Sequence, residues 1–205
     1  GLFIGMNDFL SENYNSIIKK TSIDSLEQTK VQVLTQSTVN NLINFKNESD
    51  ILEKRSEIIN YIWKSDVLPN DYPLLVESNF IDVRYNDLEN LKTIEKIHIE
   101  MKNNVKSIAY LFLPEKSNGK LFIYHQGHAG DFIEGKDSIE FFINEGYSVL
   151  ALSMPLLGMN NQPIIDLNEF GKMKFTNHRH LHLLESSDFS PVKFFVEPIG
   201  VSLNY

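Results

Sequence analysis

The 205-residue chain has no cysteine, which excludes disulfides, thiolate metal sites and a cysteine nucleophile. It also lacks a long apolar run. The opening Gly1-Leu-Phe-Ile-Gly-Met6 is far short of the roughly 20 residues that span a bilayer. Basic residues are in the minority, 19 Lys and Arg against 27 Asp and Glu, for a net charge of −8. A nucleic-acid binder carries a basic face, so that class is set aside. Arginine is scarce beside lysine, which reads as the coding bias of an AT-rich genome. The 10 glycines and 7 prolines are scattered, so no flexible linker, low-complexity tract or internal repeat is present. Absence of cysteine fits a cytoplasmic chain and an exported one equally.

What remains is the composition of a folded domain. Apolar residues make up 42% and aromatics 11%, enough for a core. The length suits one domain, or one and a piece. Residues 1–48 are polar and rich in Ser, Thr, Asn and Gln, with short helical patterns between Ile17 and Ile43. They read as an N-terminal extension. Gly1 in place of Met leaves two readings of the first residues: the tail of a removed signal or anchor, or an ordinary segment end.

From residue 49 the pattern sharpens into a second region, 49–205. Ser49-Asp50 can cap a helix running to about Lys64, with Ile51, Leu52, Ile58, Ile59, Ile62 and Trp63 as its apolar face. Pro69 and Pro73 end it. Phe80–Tyr85 alternates loosely. Ile94–Met101 alternates cleanly, Ile97, Ile99 and Met101 opposing Lys96, His98 and Glu100. On this pattern His98 is exposed. Asn103-Asn104 is a two-residue turn into a returning strand, Val105–Leu113. Lys120–Tyr124 is a short strand. A helix over Lys136–Asn144 is stopped by Gly146, and Tyr147–Leu152 reads as a strand buried on both faces. Strand, loop, helix and strand make a βαβ unit. Residues 154–175 look irregular. Ser190-Pro191 opens a last helix with Val192, Phe195, Val196, Ile199 and Leu203 on one face and a kink at Pro198. Phe141, Phe142, Phe194 and Phe195 are expected in the core.

Two places can carry chemistry. One is His125-Gln-Gly-His-Ala-Gly130, a glycine-containing loop leaving the carboxyl end of a buried strand, where open α/β sheets bind ligands. Free backbone N–H groups there can stabilise an oxyanion; a turn whose glycines serve only geometry is the plainer alternative. The other is His178-Arg-His180-Leu-His182 with Glu185 and Asp188 nearby. On a strand the three imidazoles share a face; on a helix only His178 and His182 do. Such spacing can bind zinc, but no His-Glu-x-x-His pattern is present. A polar surface segment is the more economical reading, and no metal or cofactor is expected.

The order of pieces from Ile94 to Pro155 resembles the N-terminal half of the α/β-hydrolase superfamily. The hairpin Ile94–Leu113 is followed by Lys120-Leu-Phe-Ile-Tyr124 running into the His-Gly type loop, then Lys136–Asn144, Tyr147–Leu152 and Met154-Pro-Leu-Leu-Gly158. The upstream helix with Arg55 and Ile62-Trp63, then Leu68-Pro69, is similar to the esterase branch that includes acetyl xylan esterase-like and dienelactone hydrolase-like proteins. Phe189–Pro198 resembles the helix before that branch's nucleophile strand. The resemblance covers roughly residues 50–205 and implies an α/β fold, antiparallel strands leading into parallel ones. It implies a serine hydrolase of carboxylic esters, acting on a small-molecule ester or acyl substrate. The backbone N–H of His128 or Ala129 would be an oxyanion donor, and Gly127 and Gly130 would shape the loop.

The family's Gly-x-Ser-x-Gly elbow is missing. Gly200-Val-Ser202-Leu-Asn204 lacks the last glycine and falls in a predicted helix; Gly146-Tyr-Ser148 opens a strand. The family's acid and His follow the nucleophile in chain order. The resemblance therefore implies a partial domain, cut before the elbow and inactive by itself. Its strand 147–152 would have an open edge prone to self-association. A non-catalytic binding module on the same fold and a His-cluster metal-dependent hydrolase are the alternatives.

Overall fold

The computed structural model describes residues 45–127, 131–167 and 171–205. The chain divides into two compact units, Gly1–Asp50 and Ile51–Tyr205. The expected helices within 17–43 lie outside the described residues. Helix α1, Glu48–Trp63, begins one residue ahead of the sequence reading. Its cap is not Ser49-Asp50 but Asn47, whose Oδ1 accepts from the Ser49 and Asp50 N–H groups at 2.8 and 3.2 Å. Free N–H groups of a first turn need such an acceptor. Among the expected apolar face only Ile59 is buried, while Ile51, Leu52 and Ile58 are exposed. No helix among the described residues is long and apolar enough to cross a membrane.

The second unit is α/β, built on a mixed five-stranded sheet. Its strands are β1 (Leu75–Phe80), β2 (Leu91–Glu100), β3 (Lys106–Pro114), β4 (Leu121–His125) and β5 (Ser148–Leu152). The spatial order is β1-β2-β3-β5-β4. The first three form an antiparallel meander. β5 then pairs antiparallel with β3 and parallel with β4. This corrects one expectation: β5 is interior, and among the described residues the free edge belongs to β4. Along β4 Leu121 and Ile123 are exposed, whereas Val149, Leu150, Ala151 and Leu152 are all buried. The mistake had a physical origin. A continuous apolar run shows burial on both faces, but it does not say which neighbour lies on which side.

The other elements follow local chemistry. Asn103 and Asn104 both take left-handed φ, 61° and 57°, as a tight hairpin turn requires. The strand expected over Phe80–Tyr85 lies earlier, because Asp82 accepts from Arg84 N–H and turns Val83–Tyr85 into a 3₁₀ segment. Residues 154–175, read as irregular, contain a two-stranded antiparallel hairpin, β6 (Ile164–Asp166) and β7 (Lys172–Lys174). Three residues per strand are too few for periodicity to show.

Helix α2, Lys136–Asn144, matches its predicted span. It ends in a Schellman arrangement: Tyr147 N–H bonds to Phe142 O and Gly146 N–H to Ile143 O, both at 2.9 Å. Two cores sandwich the sheet. Ile139 and Ile143 of α2 pack with Tyr110, Phe112, Val149 and Ala151 on one face. On the other, Ile97, Ile99, Leu150 and Leu152 meet Ile165, Phe175, Leu181, Phe194 and Val201. Of the four phenylalanines assigned to the core, Phe194 is fully buried. Phe142 and Phe195 are partly buried, and Phe141 is exposed.

Helix α3, Lys193–Asn204, is rotated from the sequence expectation. Ser190 starts a 3₁₀-like turn with no side-chain cap, and the buried face is Phe194, Glu197, Pro198, Val201 and Ser202. Val192 and Leu203, placed inward by the sequence, are exposed. The inward turn of Glu197 is what the hydropathy pattern hid. Its Oε2 has no hydrogen-bond partner, and Lys193 Nζ stands 3.8 Å away. Burial raises the Glu197 pKa against the opposing pull of Lys193.

Two tests follow from this packing. Gly146 has φ +80°, and a Cβ there would stand 2.8 Å from Lys116 O. Gly146→Ala should cost about 1–3 kcal/mol, read from the urea midpoint. For Glu197 the raised folded pKa means ionisation favours the unfolded chain. Stability from this group is lost as pH rises above the ordinary value of 4.5. Glu197→Gln should therefore raise the melting temperature at neutral pH and lose that advantage in acid.

Candidate functional site

Parallel pairing of β4 and β5 puts His125 beside Leu152, so the loop after β4 and the segment after β5 leave the sheet side by side. Gln126 N–H reaches back to Leu152 O at 3.4 Å. Of the loop's candidate residues, His128, Ala129 and Gly130 lie outside the described residues. Gly127 is described and exposed. Its φ is not in the left-handed region, and a Cβ there would meet nothing within 4 Å. The backbone thus does not demand glycine at 127, and no atom of the described residues fills the space above it.

Downstream, Asp131 Oδ1 accepts from Ile133 N–H at 3.0 Å and caps the 3₁₀ segment Phe132–Gly135 that leads into α2. Ser153 Oγ lies 3.2 Å from the same carboxylate oxygen and 3.2 Å from Phe132 N. Asn160 is buried against the carbonyls of Ser153 and Met154. None of these was singled out in the sequence. Asp131 had a legible signal, an acceptor just before a helical pattern. Ser153 and Asn160 had none, because their importance depends on which strands are neighbours.

A second polar group lies on the α2 side of the sheet. Asp82 accepts from Arg84 Nε at 2.8 Å and from the Tyr110 hydroxyl at 3.1 Å. The Arg84 hydrogen bond holds the Asp82 carboxyl below its ordinary pKa, against the opposing effect of burial. Tyr85 and Tyr110 are both raised, burial being the first cause. Arg84 ties this cluster to the segment after β5 through Met159 Sδ, at 3.6 Å.

The two serines with partial elbow patterns lie elsewhere. Ser148 opens β5 at the amino end of the parallel pair, opposite to the loop. Ser202 is inside α3, and its hydroxyl donates to Pro198 O at 2.7 Å. Both line an open depression of about 590 Å³ with Leu113, Lys120, Leu121 and Tyr205. This depression sits at the amino end of the parallel pair, the opposite end from Gln126 and Gly127.

The histidines engage different partners. Residues His178–Leu184 form a 3₁₀ segment, neither the strand nor the α-helix considered from sequence. His178 stacks edge-on to Phe195 with ring centroids 5.9 Å apart. His180 Nδ1 accepts from Thr176 N–H at 3.4 Å, and His182 Nδ1 contacts Arg179 O. Among the described residues no three metal-capable side chains come together. Glu185 follows the segment. Asp188 binds Lys102 at 2.9 Å, and the Ser186 hydroxyl first and then Lys102 lower its pKa to about 2. His98, expected exposed, is half-buried and 2.5 Å from Glu77.

No family model matches the chain, and no curated protein matches it significantly. Among solved structures, an acetyl xylan esterase from Paenibacillus sp. R4 is similar at 14% identity and a TM-score of 0.36. The alignment covers 60% of this chain and 37% of the esterase, so the chain spans little more than a third of that structure.

The Asp82 cluster carries a pH test. A depressed carboxyl pKa contributes stability above the ordinary value of 3.8, lost as pH falls through the lowered one. Asp82→Asn should destabilise the protein at neutral pH. The gap between variant and parent urea midpoints should narrow as pH falls below 3.8 and through the lowered value.

Proposed function

We propose that this chain carries the oxyanion-loop part of an ester-hydrolysing acyl-transfer site of α/β-hydrolase type. One observation carries the reading: a parallel strand pair from which a glycine-containing loop departs at the carboxyl end, with open space at Gly127. In acyl transfer a nucleophile attacks the carbonyl carbon and the carbonyl oxygen gains negative charge. Backbone N–H groups aimed at that oxygen stabilise the tetrahedral intermediate without reorganising. His128 or Ala129 would supply such an N–H, with Gly127 and Gly130 keeping the approach clear. Substrate is a small-molecule ester.

The reading requires a nucleophile and a histidine base from sequence outside these 205 residues. Neither Ser148 nor Ser202 has the elbow position, and both lie away from the loop. The same fact favours the second reading, a binding module that keeps the fold without the triad. Gene sequence downstream of Tyr205 separates them. A Gly-x-Ser-x-Gly within about 20–40 residues, as short α/β connections allow, supports the enzyme; a stop codon supports the module.

The kinetic test is hydrolysis of a short activated acyl ester by the full-length protein. Gly127→Val should lower turnover by about 10²–10³ while leaving the urea midpoint unchanged, since the new side chain enters open space. Unchanged turnover in that folded variant would sink the assignment.

A further inference from the structure

A line of buried and part-buried hydrogen bonds crosses the carboxyl end of the parallel pair and stops at Asp131. Ile108 N–H, near the start of β3, donates to Asn160 Oδ1 at 2.7 Å. Asn160 Nδ2 donates to Ser153 O at 2.8 Å and to Met154 O at 3.2 Å. The Ser153 hydroxyl donates to Asp131 Oδ1 and accepts from Phe132 N–H, each at 3.2 Å. Asn160 and Ser153 are only 4% and 3% exposed. Gly158 completes the arrangement. It has φ +51°, and a Cβ there would collide with the Asp131 carboxylate. The segment after β5 therefore leaves a slot that this side chain fills.

Apart from Ile108 in β3, the network joins segments outside the strands and α-helices. β5 already ends at Leu152 and α2 has not begun. Hydrogen bonds of this kind contribute little net stability each, but once fully satisfied they fix geometry. What they fix here is the downstream end of residues 126–131.

We infer that Asp131 is a positioning residue for that loop, anchored by Ser153 and Asn160 and given room by Gly158. The inference rests on the reading of the loop as an oxyanion loop. Its role is to set where the loop's N–H groups stand relative to the reacting carbonyl, without touching substrate. A displacement of about 1 Å at such a site can cost about 100-fold in rate.

The experiment uses the full-length protein with Asp131→Ala, Asp131→Asn and Ser153→Ala. Amide hydrogen exchange is followed over residues 126–133 and over α2, alongside steady-state hydrolysis of a short activated acyl ester. In Asp131→Ala, exchange over 126–133 should rise at least about tenfold with α2 unchanged, a local opening. The kcat should fall about 10–100-fold with KM within about twofold, the pattern of a lost transition-state contact. Asp131→Asn, which keeps an accepting oxygen, should recover most of both. Ser153→Ala gives the same two readouts should Asp131→Ala fail to fold. Parent-like exchange over 126–133 in the folded variants overturns the inference, as does acceleration spread equally over α2. Local acceleration in a protein whose unmutated form hydrolyses nothing supports the anchor and overturns the ester-hydrolase reading instead.

Discussion

Burial of β5 on both faces is the constraint on which this fold depends. Val149 and Ala151 complete the core under α2, and Leu150 and Leu152 complete the core under α3 and the 154–190 excursion. The same four residues pair with the antiparallel meander on one side and with the parallel strand β4 on the other. Without β5 there is no crossover, no shared carboxyl end and no place where the loop after β4 meets Ser153. A single polar substitution in this strand would leave an unpaired group in one core or the other.

Elements whose signal is local were legible in the sequence. The span of α2 and its stop at Gly146 followed from helical spacing and a left-handed C-cap. The alternation of β2 and the Asn103-Asn104 turn were equally direct. Elements whose form depends on partners were misread. Helix α3 buries Glu197 and Ser202 and exposes Leu203 because Pro198 and Phe194 face the sheet; hydropathy alone ranks these residues the other way. Asp82 turned an apparent strand into a 3₁₀ segment through its own side chain, an effect that apolar periodicity does not see.

The candidate site shows the same division. The loop was recognisable by its glycines and by its place after a β-rich run. Its support was not. Asp131, Ser153, Gly158 and Asn160 span 30 positions of sequence and meet only because β4 and β5 are adjacent and parallel. The histidines 178, 180 and 182 are the converse, neighbours in sequence that the 3₁₀ segment turns toward separate partners.

The strand order also bears on how the chain assembles as it is made. The meander β1-β2-β3 is local and can form as soon as residue 114 has emerged. β4 emerges next, yet its described partner is β5, which lies between it and β3. For the 23 residues from Gln126 to Ser148, β4 has no strand to join, while the meander holds an unfilled edge at β3. Arrival of β5 closes both gaps together, by the longest-range pairing in the sheet, Ala109 with Leu152. Completion of the sheet therefore waits on β5. Long-range pairing of this kind is the slow step in β assembly, and an exposed strand edge is most open to wrong partners before it. Completion of the sheet thus depends less on the loop after β4 than on the strand that comes after it.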